Sequence, residues 1–267
     1  MELSIIIVSF NTRELLKKCL ESIKNAEIIV IDNASTDGSV EEIKKLKIKY
    51  QKYKLNIKYI LNNENLGFAK ANNQALRLAG GEYCLLLNSD TEVKPGALEK
   101  LVEFARQHAE VGIVGARLLN PDGSLQPSVY HFPTIWRAFQ EYWLGRKGSY
   151  EKYALTASDA VKVEAVTGAA MLISRKTIEK IGLLDEQYFM YFEDLDYCRR
   201  LKRANLKVYY LPEAEVIHHH GASGKGSPLT YRYLVKSSKI YNGISKFWAL
   251  SFIIRSGQKW QRILGKR

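Results

Sequence analysis

The sequence predicts an α/β protein with a mainly parallel central sheet flanked by helices. Over the first 120 residues, short apolar runs alternate with longer amphipathic ones across brief polar links, the pattern of strand and covering helix. The runs at 3–8, 27–31, 57–61 and 83–87 are rich enough in Ile, Val and Leu to be strands buried on both faces. Three of them end in polar clusters, which marks the carboxyl edge where open α/β sheets bind ligands.

Helices are expected over 12–24, 39–50, 67–79 and 96–108. Ser39-Val40-Glu41-Glu42 reads as a capping box, and Pro95 suits the first turn of its helix. A strand over 112–119 then meets Asn120-Pro121-Asp122-Gly123, a turn inside what reads as a hairpin. Residues 131–160, with Trp136, Phe139, Tyr142 and Trp143 beside Gly145 and Gly148, read as a helix plus a loop over a cleft. Strands at 161–166 and 170–173, a helix at 194–204 and closing strands at 207–210 and 215–218 complete the body. There is no internal repeat, low-complexity run or domain linker.

The 267 residues, 46% hydrophobic and 25% charged, are enough for a sizeable core and exclude wholesale disorder, a collagen and a small disulfide scaffold. The longest apolar stretch, 247–254, is far short of the ~20 residues of a membrane span. Met1-Glu2 followed by a short apolar run is unlike a signal peptide, so a cytoplasmic protein is expected. Cys19, Cys84 and Cys198 are widely spaced and read as reduced core residues. The net charge of +12 suggests nucleic acid until it is located: no acid follows Glu215, while ten bases do, leaving 30 bases against 28 acids before residue 221. The basicity belongs to a tail, and no nucleic-acid partner is expected.

Candidate chemistry gathers at the strand ends. The first strand runs into Ser9-Phe10-Asn11, the second into Asp32-Asn33 and the fourth into Asn88-Ser89-Asp90. No first turn carries GxGxxG, and 221–227 lacks the spacing of a P-loop, which removes a dinucleotide dehydrogenase and an NTPase. Asp32 is either a contact for the N3–H of a uracil or thymine or a turn residue, with Phe10 as a stacking surface. Thr36, Asp37 and Ser39 read as turn and cap residues. Asp90 is either a metal-side carboxylate or an ordinary turn acid. Glu193 and Asp194 open a helix after Tyr191 and Phe192, as a general base beside an aromatic wall or as simple caps. Asp196 reads as an ion pair with Arg199 and Arg200. In His218-His219-His220, alternation places His218 and His220 on one face, and the run reads as a solvated turn or as the source of one metal ligand.

Taken together, Ser4 to Asn11, Val30 to Ser39, Asn65-Leu66-Gly67-Phe68-Ala69, Leu87-Asn88-Ser89-Asp90, Leu119 to Gly123, Thr167-Gly168-Ala169, Phe192 to Asp196 and His218 to Ser223 resemble an inverting glycosyltransferase of family 2. Within that family they are similar to the rhamnosyltransferase-like bacterial and archaeal enzymes. The resemblance implies the GT-A fold over 1–223, with a Rossmann-like nucleotide-sugar half at 1–119, an acceptor and catalytic half at 120–223, and a basic helical tail at 224–267. It implies that Val8, Ser9, Phe10, Asn11, Asp32, Asn33 and Asn88-Ser89-Asp90 bind the nucleotide, and that Gly67 passes near the diphosphate. Gly168, Ala169, Tyr191 and Phe192 would face sugar or acceptor, Asp194 would be the base with Glu193 beside it, and Asp90 with His218 would hold Mg²⁺ or Mn²⁺. Neutral Asn88 stands where the family more often has an acid, which removes one charge from that metal site.

The implied reaction is a single displacement with inversion. Its donor would be dTDP-rhamnose first, or a UDP- or GDP-sugar, and its acceptor a glycan or lipid-linked hydroxyl in polysaccharide and cell-envelope synthesis. A helix-start position is expected to keep Asp194 ionised while weakening it as a base, with aromatic desolvation acting against that. The rival readings are a catalytically silent sugar-nucleotide-binding scaffold and a sugar-1-phosphate nucleotidyltransferase; the latter would want a Gly-rich basic loop where this chain has Ser9-Phe10-Asn11-Thr12-Arg13. In the tail, Arg255, Lys259, Arg262 and Lys266 share one helical face, with Ile253, Trp260 and Leu264 opposite. That pattern suits a peripheral helix at the inner face of the membrane, or one docked on the core or on a second subunit of a homodimer.

Overall fold

The structure, a computed structural model, describes residues 2–51, 57–219 and 228–265. His220, the 221–227 segment, Lys266 and Arg267 therefore lie outside the described residues. The first half runs β1 (Leu3–Ser9), α1 (Arg13–Ser22), β2 (Glu27–Asp32), α2 (Ser39–Gln51), β3 (Ile57–Leu61), α3 (Phe68–Leu78), β4 (Tyr83–Asn88), β5 (Thr91–Val93) and α4 (Ala97–Gln107). It continues through β6 (Val111–Leu119), β7 (Val129–Tyr130), α5 (Ile135–Tyr142), β8 (Val161–Val163), β9 (Ala165–Val166), β10 (Ala170–Ser174) and α6 (Arg175–Ile181). The last elements are α7 (Glu193–Arg203), β11 (Lys207–His218), α8 (Pro228–Asn242) and α9 (Ile244–Ile263).

The main sheet has the order β3-β2-β1-β4-β10-β6-β11-β5, with β8 on β11 and a separate β7-β9 pair. Strands β1 to β4 are mutually parallel, as expected of βα repeats, and β10 enters antiparallel between β4 and β6. Alternation divides the core between the two faces. Ile5, Ile7, Ile28, Val30, Leu85 and Leu87 lie in one cluster, and Ile6, Ile29, Ile31, Cys84 and Leu86 in the other. The three cysteines are buried free thiols; burial pushes Cys19 and Cys198 up to about 12 and Cys84 to about 11, which leaves them unreactive.

Several expectations need correction. Strand β3 is the sheet edge and only half-buried, because no strand covers its outer side. The capping box is absent: the Ser39 hydroxyl donates to Asp37 Oδ1, which also accepts the Ser39 N–H, so Asp37 does the capping. Pro95 precedes α4 in the turn that ends at Gly96. The stretch at 161–166 splits into β8 and β9, which join different sheets. The two closing strands are one strand, β11, whose register on β6 shifts between Leu211 and Glu215. Pro212 lies in that irregularity, where its missing N–H costs no ladder bond.

The tail is docked. In α8, the Ser237 hydroxyl donates to the Met190 carbonyl at 2.7 Å, Tyr233 stacks on Phe189 and Tyr241 lies against Phe192. In α9, part of the apolar face read from sequence rests on the α5 side: Trp260 stacks on Trp143, whose Nε1 donates to the Ile253 carbonyl at 3.2 Å, while Leu264 stays exposed. Gln261 donates to the Glu141 carbonyl, and a Cβ at Gly257 would come within 2.7 Å of Tyr142. Among the described residues no helix is long and apolar enough to cross a membrane.

Candidate active site

Sheet order sets β2, β1 and β4 side by side, so their polar carboxyl ends form one edge. Asp32 is 1% exposed; its Oδ1 accepts the Ser35 N–H at 2.8 Å, while Oδ2 has no hydrogen-bond partner among the described residues. A buried carboxylate oxygen without a donor is costly, and an N–H from a ligand would relieve it. Phe10 stands beside it, 38% exposed. The flanking loops are fixed to each other: the Asn11 N–H donates to Ser35 Oγ, and Asn11 Oδ1 accepts the Thr36 N–H. Asn11 (φ 54°) and Ala34 (φ 64°) both hold left-handed backbone there.

Other residues of this edge are occupied with structure. Ser9 Oγ lies 3.1 Å from Thr12 Oγ1, which donates to Ser89 Oγ at 2.9 Å, so three buried hydroxyls tie the β1 and β4 ends together. Asn33 Nδ2 donates to Asn65 Oδ1 and the Gly67 carbonyl, and its Oδ1 accepts from Asn62. Val8 is partly buried against the core. Gly67 has φ 81° and ψ 178°, and a Cβ there would lie 2.8 Å from a Phe189 ring carbon and nearer still to the Phe189 carbonyl oxygen. That carbonyl accepts the Phe68 N–H at 2.7 Å, so the start of α3 holds the segment leading into α7.

β5 pairs with the end of β11 through Thr91 and His218, and the His219 N–H donates to the Asp90 carbonyl. His218 Nε2 consequently sits 3.3 Å from Asp90 Oδ1 and 3.4 Å from Asn88 Nδ2. On the other side of the ring, His218 Nδ1 is 2.6 Å from Gln126 Oε1. The Gln126 amide nitrogen donates to the His218 and Asn120 oxygens, which fixes Oε1 as acceptor and Nδ1 as the protonated nitrogen. Nε2, on the opposite edge of the ring, faces Asp90. Two donors 3.3 Å apart, one carboxylate and one imidazole held by a partner on its far nitrogen, suit two positions on one divalent cation. Among the described residues there is no cluster of three His, Cys, Asp or Glu ligands.

Glu193 and Asp194 begin α7, both buried. Asp194 Oδ1 accepts the Leu195 N–H at 2.8 Å and Oδ2 the Gly168 N–H at 3.2 Å. Glu193 does not cap the helix, which has no side-chain cap, and its Oε2 lacks a partner among the described residues. Burial raises Asp194 above the usual aspartate range, against the pull of the two N–H donors and the Lys152 charge. Burial pushes Glu193 well above the ordinary range, and the neighbouring Asp194 charge adds to this. Desolvation thus outweighs the helix-start effect expected from sequence, and Asp194, with the better donors, is the member of the pair that ionises first. Asp196 pairs with Arg199 and Arg200 at 2.9 Å each, as expected.

Tyr191 and Phe192 both have φ 70°. Two successive non-glycine residues in the left-handed region cost about 1–3 kcal/mol each, and such strain persists where surrounding contacts over-determine it. Tyr191 is exposed and Phe192 partly buried, while Ala169 is buried and its carbonyl accepts the Asn88 N–H at 3.0 Å. Gly168 and Ala169 thereby connect Asp194 to the β4 edge. Sequence reasoning missed Gln126, Lys152 and Tyr130. The Tyr130 phenol bonds Thr167 and is driven up by burial and by the Asp194 and Glu193 charges. No motif marks them; the hairpin after β6 brings in Gln126, β7 brings in Tyr130 and the loop at 143–160 brings in Lys152.

The Glycosyl transferase family 2 model matches residues 4–182. The N-acetylglucosaminyl-diphospho-decaprenol L-rhamnosyltransferase of Mycobacterium tuberculosis (strain CDC 1551 / Oshkosh) is 27% identical over 252 residues, 86% of this chain and 80% of that protein. Among solved structures, GalNAc-T7 with UDP, GalNAc and Mn²⁺ superposes with TM-score 0.64 at 17% identity, over 82% of this chain and 44% of that one. The mannosyltransferase PcManGT from Pyrobaculum calidifontis, in complex with GDP-Man and Mn²⁺, also gives 0.64 at 17%, over 96% of this chain and 72% of that one. Sheet order and these neighbours show the GT-A fold. The chain belongs to glycosyl transferase family 2.

Proposed function

We propose that the enzyme moves a hexose, rhamnose first, from a nucleoside-diphosphate sugar to a hydroxyl of a lipid-linked or glycan acceptor with inversion. The observation that carries this reading is the short path between base and donor edge: Gly168 donates to Asp194, and Ala169, next in the chain, accepts from Asn88 at the end of β4. The unpartnered Asp32 Oδ2 and exposed Phe10 support a base site for a pyrimidine imide, with Val8, Asn11 and Asn33 shaping it and Gly67 on the diphosphate side. Rhamnose and a lipid diphosphate acceptor are suggested by the Mycobacterium tuberculosis relative.

Asp90 and His218 would hold a Mg²⁺ or Mn²⁺ ion, which would neutralise charge on the departing diphosphate. Asp194 takes the acceptor hydroxyl proton as that oxygen bonds to the anomeric carbon and the bond to the diphosphate breaks on the opposite face. Its raised proton affinity makes it a stronger base than a solvated aspartate. Glu193, which keeps its proton longer, and Tyr191 orient the acceptor. Asp194→Asn should lower turnover by ~10² or more with donor affinity unchanged. If Asp194→Asn turns over normally and Glu193→Gln is inactive, the roles are exchanged; if both are active, the base lies elsewhere.

A further inference from the structure

Docking on α5 uses one side of α9 and leaves the other bare. Leu250, Gly257 and Gln261 are the buried positions of the helix. Diametrically opposite them, at spacings of four, four, three, four and three, run Ile244, Trp248, Phe252, Arg255, Lys259 and Arg262, all exposed. Trp248 is 56% and Phe252 72% exposed, although the helix is firmly seated on its inner side. The outward stripe therefore carries large apolar side chains on its first half and cations on its second, and the chain contains no acid after Glu215.

We propose that this stripe is the surface by which the enzyme lies on an anionic lipid bilayer, with α9 parallel to the membrane plane. Charge selects the occupant. A second copy packed on the same stripe by a two-fold axis would set Arg255, Lys259 and Arg262 against like charges, or leave Trp248 and Phe252 facing cations without acids to pair them. A nucleic acid would have no use for bare Ile244 and Phe252. An interface of anionic headgroups over acyl chains accepts all six: Trp248 and Phe252 enter the headgroup boundary, and the three bases meet lipid phosphates. The face differs from the amphipathic pattern read from sequence, because Trp260 of the apolar side seen there packs on Trp143 and the contact is made by the side that was to be polar. The proposal goes beyond the glycosyl-transfer reading and does not depend on it.

The test is sedimentation of the full chain with vesicles of phosphatidylcholine alone and of phosphatidylcholine mixed with phosphatidylglycerol, at low and high salt, without sugar donor or acceptor. The expected result is partitioning to the mixed vesicles that weakens with salt. Replacing Arg255, Lys259 and Arg262 together by Gln should lower it about 10²-fold, since each base near an anionic leaflet contributes about a factor of five. Trp248→Ser with Phe252→Ser should lower it as well, while Asp194→Asn should bind like wild type, which separates this proposal from the choice of catalytic base. Equal partitioning to both vesicle types, or retention of binding by the triple Gln variant, overturns it. A stable dimer in solution that Trp248→Ser with Phe252→Ser dissociates also overturns it, in favour of a second copy.

Discussion

Gly67 and Gly96 form a matched pair that separates backbone strain from crowding. Both have φ 81°, but Gly67 has ψ 178° and Gly96 has ψ −5°. At Gly96 a Cβ would meet nothing within 4 Å, so Gly96→Ala should cost only the left-handed penalty, roughly 1–2 kcal/mol. At Gly67 the backbone lies in a region held almost only by glycine, which costs an alanine about 1–3 kcal/mol. The added carbon would also lie 2.8 Å from the Phe189 ring, with overpacking worth another ~1–3 kcal/mol. Gly67→Ala should therefore lose roughly 2–6 kcal/mol, a large share of the ~5–15 kcal/mol that holds a domain together. At ~2–4 °C per kcal/mol for a chain of this size, Tm should fall by roughly 4–24 °C, against ~2–8 °C for Gly96→Ala. Urea unfolding followed by circular dichroism gives both values. The remaining folded Gly67→Ala protein should also turn over more slowly, because the Phe189 carbonyl that must move anchors the segment before Glu193. Equal losses in the two variants, with equal activity, would refute the argument that Phe189 is what Gly67 makes room for.

Asp32→Ala should weaken nucleoside diphosphate binding by about 10–100-fold, the loss of one charged hydrogen bond, without unfolding the protein. Calorimetric titration with unchanged affinity would move the base site elsewhere. Gln126→Leu frees His218 Nδ1 from its acceptor and should weaken Mn²⁺ binding about 10–100-fold in the presence of nucleoside diphosphate. Full activity in EDTA, with Asp90→Ala and His218→Ala like wild type, would remove the metal from the reaction. The raised Glu193 pKa fixes a sign: the folded state holds that proton more tightly than the unfolded one, so ionisation costs stability as pH rises from the ordinary value of 4.5 through the raised one. Glu193→Gln should thus be more stable than wild type at neutral pH, with the gain vanishing on acidification toward 4.5; a gain independent of pH would show that charge is not its source.

The sheet was legible because strands β1, β2 and β4 are continuous apolar runs, and their burial on both faces follows from that composition alone. Asp32 and Asp90 were legible for the same reason, as polar residues where such runs stop. β5 and β7 were not, being short strands formed by pairing partners distant in sequence: Thr91 meets His218, and Val129 meets Val166. Gln126 belongs to this class, since its value lies in reaching His218 across 92 residues. The balance of opposing effects at Asp194 was not legible, because helix position is local and readable, whereas the extent of burial is set by the fold.

The same distinction explains the tail. The family match ends at residue 182, yet Tyr191, Phe192 and the two acids follow it, and the strain at φ 70° in successive residues needs support from outside their own segment. Much of that support comes from α8: Ser237 bonds the Met190 carbonyl, Tyr233 stacks on Phe189 at 4.1 Å, and Tyr241 takes Phe192 on its ring while Arg199 lies 3.9 Å above it. A hydrogen bond of about 1 kcal/mol and aromatic pairs of ~0.5–1.5 kcal/mol each are the right size to offset two left-handed residues. The basic segment is therefore two devices in sequence. Helix α8 supports the segment that leads into the acids, whose burial raises their proton affinity, and α9, seated on α5, leaves its outer face exposed.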